Sequence, residues 1–333
     1  MTPRLRWGVI STARIGTTKV IPGIRRGERG EVVAIASRDA AHARTVADGL
    51  GIQRAYGSYE ELLADPDVDA VYNPLPNHLH AAWTIAALRA GKPVLCEKPI
   101  GLTAADGEAI AAVAAETGVP VMEAFMYRHH PSWRAAMALI AEGRIGELRA
   151  VDSWFSYYLD DAGNIRSIAA YGGGALYDIG CYNVNLSRML FGAEPETVSA
   201  AMVVDPALDV DILTSGTMTF PGGGVASFTC ATRVEPDQHV SIYGTTGRIT
   251  IDIPFNIPPE IPTRIHLTTG RRAPEAWETQ TIELAPADPY GCEADAFAEM
   301  VLDGAQVPVP MADAIANMRV LERLFAAAGR PIA

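Results

Sequence analysis

For roughly its first 124 residues the chain alternates short runs rich in β-branched residues with alanine-rich stretches, and this alternation restricts the fold more than any other feature. The runs are RWGVIST, EVVAIASR, DAVYNPLP, PVLCEKP and VPVMEAF, and between them lie helical patterns such as HAAWTIAALRAG and TAADGEAIAAVAAETG. Near-continuous apolar strands separated by helices are what a parallel sheet covered on both faces requires. Thr103 is placed to open the second of those helices as an N-cap, and Gly118 to close it.

The pattern changes after about residue 145. ELRAVDSWFSYYL, ETVSAAMVV, LTSGTMTF, GVASFTCATR, QHVSIYG, GRITIDI, TRIHLTT and WETQTIEL succeed one another with turn residues between them, which predicts a largely antiparallel sheet. One helical stretch, roughly 173 to 191, interrupts these strands, and PGGG at 221–224 reads as a hairpin turn because no helix comes after it. The end of the chain returns to helix in CEADAFAEMVLDG and ADAIANMRVLERLFAAAG. At 333 residues two domains are the default. The expected division is an α/β nucleotide-binding domain over 1–124 and an α+β domain with an open-faced, largely antiparallel sheet over 125–333, its last helix packing back on the first domain.

Charge narrows the partners. With 27 basic and 39 acidic residues the net charge is -12, leaving no broad basic field for nucleic acid or an anionic membrane surface. No apolar run approaches the about 18 residues of a membrane-spanning helix. The opening MTPRLRWGVI is expected to enter a strand at once, without a signal peptide. Cys96, Cys181, Cys230 and Cys292 have neither disulfide-framework density nor a CxxC pair, so free thiols in a reducing cytoplasm are expected.

The first strand runs into GVISTARIG, residues 8–16. A dinucleotide-binding turn needs a small residue at the bend, a second where the backbone approaches the pyrophosphate, and a third where helix packs on strand. Ser11, Ala13 and Gly16 fall at that G-x-G-x-x-G spacing, so Ser11, Thr12, Ala13, Arg14 and Ile15 are candidate phosphate contacts. An ordinary strand-to-helix turn reads the same way when taken alone. At the end of the second strand an acidic residue would accept from the ribose of NAD, whereas a 2′-phosphate wants a hydroxyl and a cation. Here stand Ser37 and Arg38, with His42 and Arg44 one helical turn on, and Asp39 is better placed to cap the next helix. This favours NADP(H) over NAD(H), although a surface arginine at a helix start is a common alternative.

In VLCEKPIG, residues 94–101, an apolar run ends on Glu97 and Lys98. In an open α/β sheet ligands lie outside the carboxyl ends of the strands, and NPLPNH at 73–78 reaches such an end too. A partly desolvated lysine there can polarise a carbonyl or orient an alcohol. Pro99 restricts the lysine backbone. The bland alternative is a surface ion pair closing a strand.

GVISTARIG, YGSYEELLADPDVDAVYNPLPNHLH, AGKPVLCEKPIG and GGGALYDIGCYNVN together resemble the Gfo/Idh/MocA family of sugar and cyclitol oxidoreductases over nearly the whole chain. The sequence is most similar to the branch of glucose-fructose oxidoreductase, dihydrodiol dehydrogenase and NADP-dependent xylose dehydrogenase, several of whose members also replace the first glycines of the phosphate turn. The resemblance implies a Rossmann domain followed by an open-faced sheet. It implies that Lys98 is catalytic, often with a cis peptide to the following proline, and that Asp178 and Tyr182 lie one helical turn apart in the site. Tyr182 would be the general acid/base, with the Lys98 ammonium lowering its pKa, and Asp178 would orient a sugar hydroxyl or the tyrosine. Without the resemblance, the same pair reads as an N-terminal charge and a half-buried aromatic. It also implies that Pro74, Leu75, Asn77 and His80 form a nicotinamide-ribose wall with Glu97 and Lys98 beside it, and that Arg128 and Arg166 lie near the cofactor or substrate mouth.

His78 with His80, and His129 with His130, lack the further ligands a zinc site needs, so no metal is expected. Cys96 reads as core packing. The expected activity is that of an NADP(H)-dependent sugar oxidoreductase, with an aldose 1-dehydrogenase first and a ketosugar reductase or aldose-aldose oxidoreductase next. A trans-dihydrodiol dehydrogenase and a non-catalytic NAD(P)- or sugar-sensing regulator are the alternatives. The exposed sheet face of the second domain predicts a homodimer or homotetramer.

Overall fold

The structure is a computed structural model and describes residues 3–270 and 276–332. Two compact units result: residues up to Met126 with Asp288–Met318, and Tyr127–Ala287 with the residues from Arg319 onward.

In the first unit, β1 (Leu5–Ile10), β2 (Gly30–Ala36), β3 (Arg54–Tyr56), β4 (Ala70–Asn73), β5 (Val94–Glu97) and β6 (Val121–Ala124) form a sheet in the order β3-β2-β1-β4-β5-β6. Every pairing is parallel, and the order reverses between β1 and β4, which makes this a doubly wound sheet with its switch point between those two strands. β4 is buried along its whole length, as its all-apolar start implies. The linking helices are α1 (Ile21–Arg26), α2 (Ala40–Leu50), α3 (Tyr59–Ala64), α4 (Asn77–Arg89) and α5 (Ala104–Thr117). Thr103 caps α5 in a reciprocal box with Asp106, and Gly118 ends it in the left-handed region at φ 68°. β3 has only three residues, too short for any periodicity to announce it. Helix α8 (Pro289–Asp303) packs on this sheet, with the Phe297 ring 4.9 Å from Trp7 at the bottom of the core.

The second unit opens with α6 (Pro131–Ala141) and carries one eight-stranded sheet. Its strands are β7 (Leu148–Tyr158), β8 (Thr197–Asp205), β9 (Val210–Phe220), β10 (Gly224–Ala231), β11 (Arg233–Gly244), β12 (Gly247–Ile251), β13 (Thr263–Thr269) and β14 (Glu278–Leu284). The order is β14-β13-β12-β11-β7-β10-β9-β8, antiparallel except where β7 meets β10. All eight expected strands are present, and Pro221–Gly223 makes the expected hairpin turn between β9 and β10. One face buries Val151, Phe155, Met218, Phe228, Ile242 and Ile249. Helix α7 (Cys181–Phe191) packs on β7 and β10, and Asn183 Nδ2 donates to Ser153 Oγ at 2.8 Å. Along the other face Val225, Asp152 and Tyr243 are exposed, and Ser227, Trp154 and Ser241 are half-buried. Helix α9 (Met311–Ala327) ends the fold.

Candidate active site

β1 delivers the chain to Ser11, whose φ of 114° lies in the region that side chains avoid and glycine accepts. Serine thus holds the first small position of the phosphate turn in a glycine conformation, at a cost of about 1–3 kcal/mol. Its Oγ accepts from the Ala13 N–H at 3.2 Å. Helix begins at Arg14, passes through a π-helical turn, Gly16–Val20, and continues into α1. The N–H groups of a first turn have no helical partner, which suits them to phosphate. Gly16 is buried against Tyr72, Pro74 and Val9; a Cβ there would lie 3.5 Å from the Tyr72 ring.

β2 ends at Ser37, whose Oγ accepts from the Asp39 N–H at 3.3 Å, while Arg38 is exposed. Asp39 caps α2, accepting from the Ala41 and His42 N–H groups at 2.9 and 3.1 Å. The strand end therefore offers a hydroxyl and a guanidinium, and its carboxylate is engaged, which fits a 2′-phosphate. Exposed His42 lies in the first turn of the same helix. Arg44 departs from expectation. Its guanidinium donates to the Ile52 and Gln53 carbonyls and pairs with Asp48, because it runs to the negative, C-terminal end of α2.

At the end of β4, buried Asn73 donates to the His80 carbonyl and Thr84 Oγ1 and accepts from the Leu75 N–H at 3.3 Å, which folds the 74–77 loop. Pro74 and Leu75 are buried; Asn77, the first residue of α4, is half-buried. His80 is 1% exposed, with Nδ1 2.7 Å from the Pro99 carbonyl oxygen and Nε2 2.6 Å from that of Leu75. Its polar atoms face the backbone of the two loops that end β4 and β5 rather than the outside. Burial outweighs both acceptors and pushes its pKa down to about 4. Lys98 is half-buried, and the Lys98–Pro99 peptide is cis. Glu97 Oε1 accepts from the Tyr72 hydroxyl at 2.6 Å. Beneath it Glu293 of α8 is 1% exposed with Oε1 unpartnered, and burial, aided by the Glu97 charge, holds its carboxyl well above the usual range. Neither Tyr72 nor Glu293 carries a sequence signal beyond its place in an apolar run or helix.

The second unit holds Asp178 in another π-helical turn, Leu176–Gly180, that runs into α7. The expected single α-turn between Asp178 and Tyr182 is therefore widened, since π turns bond i to i+5. The glycines before it are needed for space. A Cβ on Gly173 would lie 2.6 Å from the Arg166 carbonyl oxygen, and one on Gly174, at φ 112°, would collide with Asp211. Asp178 Oδ2 accepts from the Tyr157 hydroxyl at 2.5 Å and from Arg166 Nε at 3.0 Å. The tyrosine on Asp178 is thus Tyr157, which sequence reasoning misses. Its one signal is the SYYL end of β7, where alternation sends Tyr157 inward with Phe155 and leaves Tyr158 63% exposed. Burial and the Asp178 charge raise the Tyr157 pKa far above the phenol range.

Tyr182 is 5% exposed, its ring 5.5–5.9 Å from those of Tyr127, Phe155 and Phe255. Arg128 is half-buried with its NH1 3.5 Å from Asn185 Oδ1, which also accepts from the Tyr127 hydroxyl at 2.6 Å. His130 caps α6 by accepting from the Ser132 N–H. Among the described residues no group of three His, Cys, Asp or Glu side chains is arranged to hold a metal, and no helix is long and apolar enough to cross a membrane.

Two family models match the chain: an oxidoreductase family with an NAD-binding Rossmann fold over residues 5–125, and the GFO/IDH/MocA C-terminal domain over residues 133–250. A D-xylose 1-dehydrogenase (NADP(+)) of Haloferax volcanii is 38% identical, covering 97% of each chain. Trans-1,2-dihydrobenzene-1,2-diol dehydrogenase of Bos taurus is 36% identical over 77% of each. A 3-ketoreductase of Actinomadura kijaniata, solved with NADP and TDP-benzene, superposes with a TM-score of 0.89 at 33% identity, covering 97% of this chain and 98% of that one.

Proposed function

This chain belongs to the Gfo/Idh/MocA oxidoreductase family, and from that premise we propose that it is an NADP(H)-dependent sugar oxidoreductase acting at a CH–OH carbon. The observation that carries the reading is the carboxyl edge of the first sheet, where β1 ends in a glycine-like turn and β5, on the far side of β4, ends beside half-buried Lys98. Residues Ser11 to Ile15 receive the dinucleotide phosphates, and Ser37 with Arg38 receives a 2′-phosphate; the NADP-dependent xylose dehydrogenase relative supports that preference. When bound, the nicotinamide supplies the redox chemistry. Asn77, Pro74 and Leu75 wall its ribose, with His80 and Glu97 behind them, and Arg128 is assigned to cofactor binding by the family resemblance.

The chain's own part is protonic and electrostatic. Tyr182 exchanges the proton of the reacting oxygen, Lys98 stabilises the negative charge that develops there, and Asp178, with Arg166, accepts from a neighbouring sugar hydroxyl. An aldose oxidised at its anomeric carbon is the favoured substrate, with ketosugar reduction next. The similarity to a trans-1,2-dihydrobenzene-1,2-diol dehydrogenase supports a dihydrodiol as the second reading. A sensor without turnover would have no use for both Lys98 and Tyr182. We further propose that the protein works in the reducing cytoplasm, which suits its four free cysteines, and pairs through the open face of the second sheet as a homodimer or homotetramer. A monomer in sedimentation would overturn the pairing.

The testing experiment is nicotinamide absorbance with NADP⁺ and NAD⁺ against aldoses, cyclitols and dihydrodiols, with Tyr182→Phe as control. Reduction of NADP⁺ by a pentose or hexose, lost in the variant, is the expected result. Equal rates in the variant would overturn the catalytic assignment.

A further inference from the structure

We propose that Tyr157 is a positioning residue for the sugar: it fixes the Asp178 carboxylate in the orientation from which that carboxylate accepts a substrate hydroxyl. The inference rests on the reading of Asp178 as a substrate acceptor. Tyr157 sits at the end of β7, on the inner face with Val151, Ser153 and Phe155, and β7 is held between β11 and β10. A phenol has two torsions and no freedom in the position of its oxygen once the ring is packed, so a strand-borne tyrosine is a rigid donor. Its hydroxyl meets Asp178 Oδ2 at 2.5 Å, and Arg166 Nε reaches the same oxygen at 3.0 Å. Two donors converging on one oxygen from different elements define the plane of the carboxylate, which a single bond would leave free to rotate.

Asp178 needs such a hold. It lies in a π-helical turn rather than a regular helix, and its side chain keeps 13% of its surface exposed. Arg166, at 40% exposed on the 159–174 loop, is the softer of the two clamps. The Tyr157 proton is committed: burial and the adjacent carboxylate disfavour its loss, so this tyrosine donates and does not compete with Tyr182 for proton exchange. A fixed, acceptor-only carboxylate selects a substrate that offers a hydroxyl along one direction. Polyols and sugars do so; a carbonyl or ether oxygen at that place does not.

The test is a double-mutant cycle on the full chain with Tyr157→Phe, Asp178→Asn and both together, using the panel sugar oxidised fastest. Tyr157→Phe is expected to raise the KM for sugar about tenfold, the loss of one hydrogen bond to a charged group. It should leave kcat within about threefold, the KM for NADP⁺ unchanged and the pH profile of kcat unmoved. In the Asp178→Asn background it should add nothing, because its effect passes through that carboxylate. Multiplying effects in the double variant would overturn the proposal, and so would a collapse of kcat like that of Tyr182→Phe, which would make Tyr157 the proton-exchanging group. Near-wild-type activity of Tyr182→Phe defeats the catalytic reading separately and leaves the Tyr157–Asp178 cycle to be read by itself.

Discussion

The helix that leaves β1 and the helix that carries Tyr182 both begin in a π-helical turn, Gly16–Val20 in one and Leu176–Gly180 in the other, yet the residues before them meet different demands. Ahead of the first, Ser11 adopts glycine's conformation without being glycine. On the proposed reading that turn offers backbone N–H to a phosphate, so side-chain identity matters little there. Ahead of the second, Gly173 and Gly174 leave no room for a Cβ against Arg166 and Asp211, and the helix beyond them carries a constellation of side chains. A site made of backbone accepts a serine in a glycine conformation and keeps its shape; a site made of side chains needs space in which to hold them.

Substitutions can strain that contrast, and the largest effect belongs to the side-chain site. Tyr182→Phe should lower kcat about 10²- to 10⁴-fold, the range for a general acid/base, with NADP⁺ binding intact by fluorescence titration. Next, Gly173→Ala should cost about 3 kcal/mol by denaturant unfolding, because the new methyl meets backbone that cannot step aside. Tolerance of alanine at Gly16, where a Cβ would make only ordinary contacts, would sharpen the comparison; damage there equal to that at Gly173 would break it.

Glu293 lies inside the first unit, a buried carboxyl whose Oε1 has no hydrogen-bond partner. Its raised pKa means the native state keeps a proton that the unfolded chain releases above about 4.5, so stability falls as pH rises above that value toward the native pKa. Glu293→Gln removes the dependence and should gain about 2 kcal/mol near neutral to mildly alkaline pH, read as a Tm difference that widens with pH. A variant that tracks the parent across that range would show the carboxyl to be ionised. Smaller still, Arg38→Ala should raise the KM for NADP⁺ about tenfold and leave that for NAD⁺ unchanged. Smallest is Ser11→Gly, expected to stabilise by about 1 kcal/mol through release of the strained φ, with cofactor affinity kept. Loss of cofactor binding in that variant would show that the serine hydroxyl, not the backbone, is the group the turn supplies.

Legibility in the sequence divides along the same line. Thr103, Gly118 and Asp39 act on neighbours a few residues away, and their capping roles are visible in sequence. The eight strands of the second sheet alternate visibly, whereas the three residues of β3 cannot. Arg44 eludes a sequence reading because a side chain's direction along a helix is set by the loop it reaches, here at Ile52 and Gln53. Tyr157 stays hidden for a like reason. Its partner is 21 residues away, in a turn whose π geometry leaves no trace in the spacing.

Asp39 shows how such a chain would change its coenzyme over generations. Its carboxylate already stands beside the strand end where an NAD enzyme keeps an acid, but α2 holds it through two N–H groups. Deleting Arg38 would weaken the hold on a 2′-phosphate without freeing that carboxylate, since releasing it uncaps a helix at a cost of about 1 kcal/mol. Under the proposed preference, the mutational route to NAD therefore has a valley in it. A new acid at Ser37 or Arg38 would supply the ribose acceptor while leaving Asp39 on its cap.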